Sequence, residues 1–300
     1  MLKVAWSPVY AHPLPEGHRF PMEKYNLLPE QLLYEGTLQQ ENFFEPPPIE
    51  DQYILNTHES TYWDKLRNQQ LTPAEIRKTG FPLSPQLVFR EVVIMNGTVQ
   101  AALFALEYGV SMNIAGGTHH AFTNRGEGFC LLNDIAIAAN YLLEKKLAAR
   151  ILIVDLDVHQ GNGTAQIFQD KAEVFTFSMH GASNYPMHKE ISDLDVALPD
   201  GITDAAYLKA LDTHLPALIE QEVPDFIFYQ SGVDILNTDK LGRLSVSLAG
   251  CRERDRKVLE LCKRHHIPVA ASMGGGYSER IADIVEAHAN TFRLAQEIYF

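Results

Sequence analysis

The chain has 300 residues, 46 % apolar and 21 % charged, with a net charge of −13. These values fit one large α/β domain over residues 1–300, exclude a disordered chain, argue against direct nucleic-acid binding and suit a cationic substrate. Three cysteines, no secretory h-region at Met1–Tyr10 and no apolar run judged long enough for a membrane span lead to the expectation of a cytoplasmic protein free of disulfides.

Taken in order, Lys3–Trp6 reads as a first strand and Ser7–Pro21 as a structured loop. Within GHRFPMEKY (Gly17–Tyr25), two readings stay open: a solvated loop, or a loop at the mouth of a site. Glu23–Gly36 and His58–Gln69 read as helices, with His58 and Trp63 as packing residues rather than ligands. Ser84–Tyr108 is a long helix opened by Pro85 and stopped by Gly109. Ser111–Ala115 is a brief strand. It is followed by the Gly-rich segment Gly116–Asp134, which carries His119 and His120 and is too long to be a mere connection. Asn133–Lys146 is helical. A strand at Ile151–Asp157, a short helix at Thr164–Phe168 and a strand at Val174–Met179 come next. His180–Gly201 lacks periodicity and reads as a surface loop. Thr203–Glu222 is a helix with Thr203 or Asp204 near its N-cap. Asp225–Gln230 is a buried strand, Ser247–His266 a helix, Ile267–Met273 a strand and Ser278–Glu297 a closing helix. The pair His265-His266 falls in a last helical turn, where a cation suits the dipole. Alternation of strands and helices predicts a parallel sheet covered on both faces.

The stretch ILIVDLDVHQGNG (Ile151–Gly163) carries the clearest chemistry. If its extended geometry persists, Asp155, Asp157 and His159 share one face. Ligands in parallel sheets bind beyond the carboxyl ends of the strands. Asp234 and Tyr277 each follow another strand, and His119 and His120 follow a third. Asp157, His159 and Asp234 form a three-ligand set with room for water, as catalytic metal sites have and structural zinc sites do not. His119 and His120 then suit proton transfer, one oriented by Asp155 and the other by Asn162. A carboxylate partner stabilises an imidazolium and an amide does not, so the two histidines should differ in basicity. Tyr277, on a glycine-lined turn, suits hydrogen bonding to a developing oxyanion. Phe129 and Tyr185 are candidates for the walls of an apolar channel.

The motifs GGTHH, GEGFCLLND, DLDVHQGNG, QSGVDILNTDKLGRLS and GGGY occur in the order seen in the histone deacetylase superfamily. The chain resembles that superfamily from about Asn96 to the C-terminus, and its HQGN and DxLGxLS are most similar to the class IV branch and its bacterial relatives. The resemblance implies an arginase/deacetylase-like α/β fold: three layers, α/β/α, around a mainly parallel sheet of about eight strands. It implies a zinc-dependent amidohydrolase that removes acyl groups from acylated lysine by metal-activated attack of water on the amide. Ferrous iron is the other metal that suits this donor set. Residue by residue, it implies Asp157, His159 and Asp234 as metal ligands and His120 as general base. His119 with Asp155 becomes an electrostatic or acid partner, and Tyr277 polarises the carbonyl. Gly128 (through its carbonyl), Phe129, Tyr185 and Leu241 contact substrate. A structural potassium ion is implied around Asp155, Asp157, His159, Ser178 and Met179. Many members carry Asp at the position of Asn162, which puts a charge relay there in doubt. The implied partner is an acylated lysine peptide or protein, or a small acylated amine such as an acetylpolyamine, with neither nucleic acid nor membrane. A catalytically silent acyl-lysine reader is the alternative from another class.

Overall fold

The computed structural model describes all 300 residues. Its strands are β1 (Lys3–Ala5), β2 (Phe43–Phe44), β3 (Val110–Asn113), β4 (Ile151–Asp155), β5 (Val174–Gly181), β6 (Leu194–Leu198), β7 (Phe226–Ser231) and β8 (Val269–Met273). They form one sheet in the order β2-β1-β3-β8-β7-β4-β5-β6, and every pairing is parallel. The four central strands β3, β8, β7 and β4 are buried at every residue. Continuous apolar runs such as Ile151–Val154 suit a strand covered on both faces.

The helices are α1 (Lys24–Tyr34), α2 (Asp51–Leu55), α3 (Ser60–Arg67), α4 (Pro73–Thr79), α5 (Pro85–Tyr108), α6 (Asp134–Glu144), α7 (Asn162–Phe168), α8 (Asp204–Glu222), α9 (Leu248–Arg264) and α10 (Ile281–Tyr299). One helical layer is built on α5 and α6, and the other on α10 with α1, α9 and α8. The expected three-layer α/β architecture is therefore present. Helix α5 starts where Ser84 Oγ accepts from Leu87 N at 3.1 Å and stops at Gly109, whose φ of 85° a glycine adopts freely. By length and composition α5 is apolar enough to cross a membrane, contrary to the sequence reading. Here it is largely buried against α6, β1, β3 and β8, as a core helix.

Several sequence expectations are corrected. Residues 180–201 are not all loop: they contain β6, whose side chains alternate between half-buried and exposed until Leu198, which is buried. The two-residue β2 went unrecognised, as did α2 and α4. Both missed strands lie at the sheet's edges, where one neighbour and one wet flank leave no continuous apolar run to read. Thr203 does occupy the N-cap of α8 as expected, but without a side-chain cap bond, and Asp204 accepts from Ser247 N and Oγ at the start of α9. His265 and His266 follow the last residue of α9 rather than lying in its last turn.

Candidate active site

Four adjacent strands deliver the polar residues. The loop after β3 carries His119 and His120, the loop after β4 carries Asp157 and His159, Asp234 follows β7, and Gly274–Tyr277 follow β8. The expectation that Asp155, Asp157 and His159 share an extended face is corrected, because β4 ends at Asp155. Beyond it the chain coils through side-chain contacts to its own backbone. Asp155 Oδ1 accepts from Asp157 N at 3.1 Å, and Asp157 Oδ1 accepts from His159 N at 3.0 Å. Asp155 is thereby turned toward His119, while Asp157 and His159 turn toward Asp234.

His159 Nδ1 lies 3.1 Å from Asp157 Oδ1 and 3.1 Å from Asp234 Oδ2. All three side chains are buried, and their donor atoms converge within 4.8 Å. Backbone donors hold the carboxylates: Gly275 N donates to Asp157 Oδ2 at 2.7 Å and Val158 N to Asp234 Oδ1 at 2.9 Å. A Cβ at Gly275 would lie 2.0 Å from Asp234 Oδ2, so the turn after β8 must be glycine there. Burial and then the charge of Asp157 push Asp234 up to about 7. Burial opposes protonation of His159, but its bonds to Asp157 and Asp234 push it up to about 10. Two buried carboxylates and an imidazole thus draw a positive charge into their midst, and the donor set fits a divalent cation.

The two neighbouring histidines are oriented differently. His119 Nδ1 donates to Asp155 Oδ2 at 2.7 Å, and His120 Nδ1 donates to Asn162 Oδ1 at 2.6 Å. Burial disfavours the charged form of both. At His119 the carboxylates of Asp155 and Asp157 outweigh burial and raise its pKa. At His120 burial, reinforced by His119 and His159, holds the pKa well below the usual range. His120 is thus a neutral imidazole whose Nε2 lone pair is not taken up by Asn162. The expected difference in basicity follows from carboxylate against amide.

An inner cavity of about 40 Å³ is lined by His119, His120, Gly128, Phe129, Asp157, His159 and Tyr277 among others. Gly128 packs so closely on His120 that a Cβ would lie 2.6 Å from His120 Cδ2, and its φ is 53°. The Tyr277 hydroxyl makes no hydrogen bond within the protein, and burial keeps its pKa well above 10. Tyr185 stands edge-on to His120, with ring centroids 5.0 Å apart. Leu241 lies outside the inner cavity. It lines an outer groove of about 960 Å³ that also meets Phe20 and Tyr277. The Gly17–Tyr25 segment therefore lies at the mouth, with Phe20 against both Phe129 and Tyr277. The residues expected around a potassium ion are neighbours at the ends of β4 and β5. Asp155 pairs with Ser178 in register, Met179 follows, and Val158 O accepts from Gly181 N.

Sequence reasoning missed two residues that shape the site. Asp239 accepts from Leu241 N and Gly242 N through one oxygen and from Tyr277 N at 2.6 Å through the other, which aims the tyrosine turn. Its signal was the Asp-x-x-Gly of a side-chain-capped turn, Asp239 to Gly242. Lys24 is buried and donates to Gly274 O at 3.3 Å. Burial lowers its pKa to about 8 against the pull of Asp234 and Asp157. Its spacing with Leu28 and Leu32 put it on the apolar face of α1. His58 is a buried packing residue as expected, but it also bonds. Nδ1 donates to Phe122 O, and Nε2 accepts from Asn133 N, whose side chain caps α6.

Comparison with known proteins decides the family. The histone deacetylase domain matches residues 18–292. The chain belongs to the histone deacetylase family. It is 46 % identical to an uncharacterised protein of Picosynechococcus sp., covering 99 % of both chains. It is 29 % identical to histone deacetylase 2 of Arabidopsis thaliana over 89 % of this chain and 72 % of that one. A histone deacetylase homologue from Aquifex aeolicus superposes with a TM-score of 0.83 at 26 % identity, covering 98 % of this chain and 84 % of that one. A structure of a homologue complexed with SAHA gives the same score and identity, with 98 % and 82 % covered. As a member of this family the protein is a hydrolase of the deacetylase kind.

Proposed function

We propose that the protein is a zinc-dependent amidohydrolase that removes acyl groups from acylated lysine side chains. The observation that carries this reading is the buried Asp157–His159–Asp234 set at a cavity also lined by His120, with its low basicity, and by the unbonded Tyr277 hydroxyl. A divalent cation held by those three residues would polarise the substrate carbonyl and lower the pKa of water at the site. Zinc suits the donors, and ferrous iron is the competing choice.

The chain's own residues supply the rest. His120 takes the proton from the attacking water, since its Nδ1–H is committed to Asn162 and its ring is neutral. His119, whose basicity the carboxylates of Asp155 and Asp157 raise against burial, stabilises developing negative charge and serves as the acid partner. The Tyr277 hydroxyl donates to the oxygen that becomes anionic. The Gly128 carbonyl accepts the amide N–H, and Phe129 and Tyr185 flank the aliphatic stem. Leu241 meets the substrate farther out, in the groove. A potassium ion among Asp155, Asp157, His159, Ser178 and Met179 would stiffen the loop that carries the ligands.

The outer groove supports lysine on a polypeptide over a free polyamine. It is open, and it mixes Arg19 and Lys240 with Glu16, Glu23 and Glu279 rather than presenting an acidic rim. The deciding experiment compares turnover of acetyl-lysine peptides with that of acetylpolyamines on zinc-loaded protein. Preference for the peptide is expected. Preference for the polyamine overturns the substrate assignment, and binding without turnover in zinc-loaded protein favours a silent reader.

A further inference from the structure

Phe129 lines the inner cavity, Tyr185 stands edge-on to His120 and His159 from a different loop, and a side chain beside Phe129 fixes Tyr185. Glu127 opens the tight turn that presents Phe129. Cys130 N donates back to Glu127 O at 2.8 Å, and Gly128 and Phe129 within the turn have φ of 53° and 67°. A bulky residue at positive φ persists only where its surroundings enforce it. The enforcement comes from the end of α4: Lys78 O accepts from Gly128 N and Thr79 O from Phe129 N, at 3.0 and 2.8 Å. Glu127 and Phe129 therefore share one rigid platform.

Tyr185 lies across the site on the loop between β5 and β6. That loop's backbone is braced by Lys189, whose ammonium donates to Asn184 O and Pro186 O, both at 2.6 Å. The Gln160 side chain pairs with both the N–H and the carbonyl of Glu190. The ring itself has less support: Tyr185 is 38 % exposed, and Met187 and Ile191 nearby in the loop are 81 % and 84 % exposed. What fixes the ring is its hydroxyl, which donates to Glu127 Oε2 at 2.7 Å. The other carboxylate oxygen accepts from Arg125 Nε at 2.8 Å, and the Arg125 guanidinium lies 3.5 Å from the centre of the Phe122 ring. The acceptor is thus charged, aimed and itself anchored, a combination that strengthens a hydrogen bond.

We infer that Glu127 is a positioning residue that sets the width of the channel through which the acylated lysine side chain enters, and so the size of acyl group admitted, by tying Tyr185 to the turn that bears Phe129. The inference rests on the reading that acyl-lysine enters between those two rings. Neither Glu127 nor Arg125 touches the reacting atoms; they act through Tyr185.

The test uses full-length zinc-loaded protein with Glu127→Ala, Glu127→Gln, Tyr185→Phe and the Glu127→Ala/Tyr185→Phe double variant. For an acetyl-lysine peptide, KM should rise about 3- to 10-fold in Glu127→Ala and in Tyr185→Phe, the loss falling on KM more than on kcat. Turnover of a bulky benzoyl-lysine peptide should rise relative to the acetyl one, which mere loss of stability would not produce. The double variant should be no worse than the worse single, because both remove the same bond. Glu127→Gln, which keeps an acceptor oxygen, should fall between wild type and Glu127→Ala. Additive losses, or an unchanged benzoyl-to-acetyl ratio in both singles, would overturn the inference. A readout independent of activity separates it from the functional reading. In 3-fluorotyrosine-labelled protein, the ¹⁹F resonance assigned to Tyr185 by its absence in Tyr185→Phe should shift or broaden in Glu127→Ala. An unmoved resonance overturns the tie even in an inactive protein, and a wild type inactive on every acyl-lysine peptide overturns the functional reading alone.

Discussion

Asn162 is where a single substitution tests the division of labour between the two histidines. Its side-chain oxygen accepts from His120 Nδ1 at 2.6 Å. Asn162→Asp keeps the shape and the hydrogen bond but puts a full negative charge beside a ring whose pKa burial, His119 and His159 together depress. With the new charge about 5 Å from the centre of the imidazolium and an effective dielectric of about 20, the attraction is roughly 3 kcal/mol, or about 2 pKa units. Desolvation of the new carboxylate offsets part of this, leaving a rise of about 1–2 units. A metal ion in the site lowers the basicity of His120 in both proteins alike, so the difference between them survives. A general base works only when deprotonated. A higher pKa therefore moves the acidic limb of the kcat/KM profile to higher pH by the same 1–2 units. The assay is kcat/KM for an acetyl-lysine peptide in both proteins, from the lowest pH at which both stay folded and metal-loaded up to about 10, the range of lysine titration. An unmoved limb, or one moved toward acid, would refute the assignment of His120 as the base.

Three further outcomes follow from the geometry. Tyr277→Phe should cut kcat roughly 10²–10³-fold while one metal ion per chain stays bound, since it removes an oxyanion donor and no ligand; steady-state kinetics with metal analysis checks this. His120→Ala should cost more in kcat than His119→Ala, and the reverse order in parallel kinetics would exchange their roles. Away from the site, Arg293 bridges Glu35, just past the end of α1, to Glu286 within α10, and holds both carboxyls below their usual range through its hydrogen bonds. Depressed carboxyl pKa values give stability that is present above the unfolded value of 4.5 and lost as pH falls through the folded values. Arg293→Gln should therefore destabilise the protein at pH 7 by about 1 kcal/mol, a figure kept small because solvent screens the network. That deficit, read by urea unfolding, should shrink below about pH 4.5.

The central strands and the candidate ligand set Asp157, His159 and Asp234 were legible in the sequence for a physical reason. Ile151–Val154 and Phe226–Tyr229 are buried on both faces, so their apolar runs are unbroken and the polar residues just past them stand out. The edge strands were illegible because Phe43–Phe44 is too short to show a period and Leu194–Leu198 alternates with exposed residues. The register of Asp155, Asp157 and His159 was misjudged because an alternating polar pattern looks the same in a strand and in a coil closed by its own aspartates. Asp239 and Glu127 bond across 38 and 58 residues, to Tyr277 and Tyr185. No local pattern announces such a partner. Asn162 was legible as an oddity, and the structure shows what it orients.

The most direct test of the account joins metal binding to turnover in one preparation. Protein stripped by chelation should have no activity on a series of acyl-lysine peptides from acetyl to myristoyl. It should regain activity on taking up one equivalent of zinc or ferrous iron per chain, and Asp157→Ala or Asp234→Ala should lose both the tight equivalent and the turnover. Undiminished turnover in chelated Asp157→Ala, or no turnover of any acyl-lysine by fully metal-loaded wild type, would contradict it.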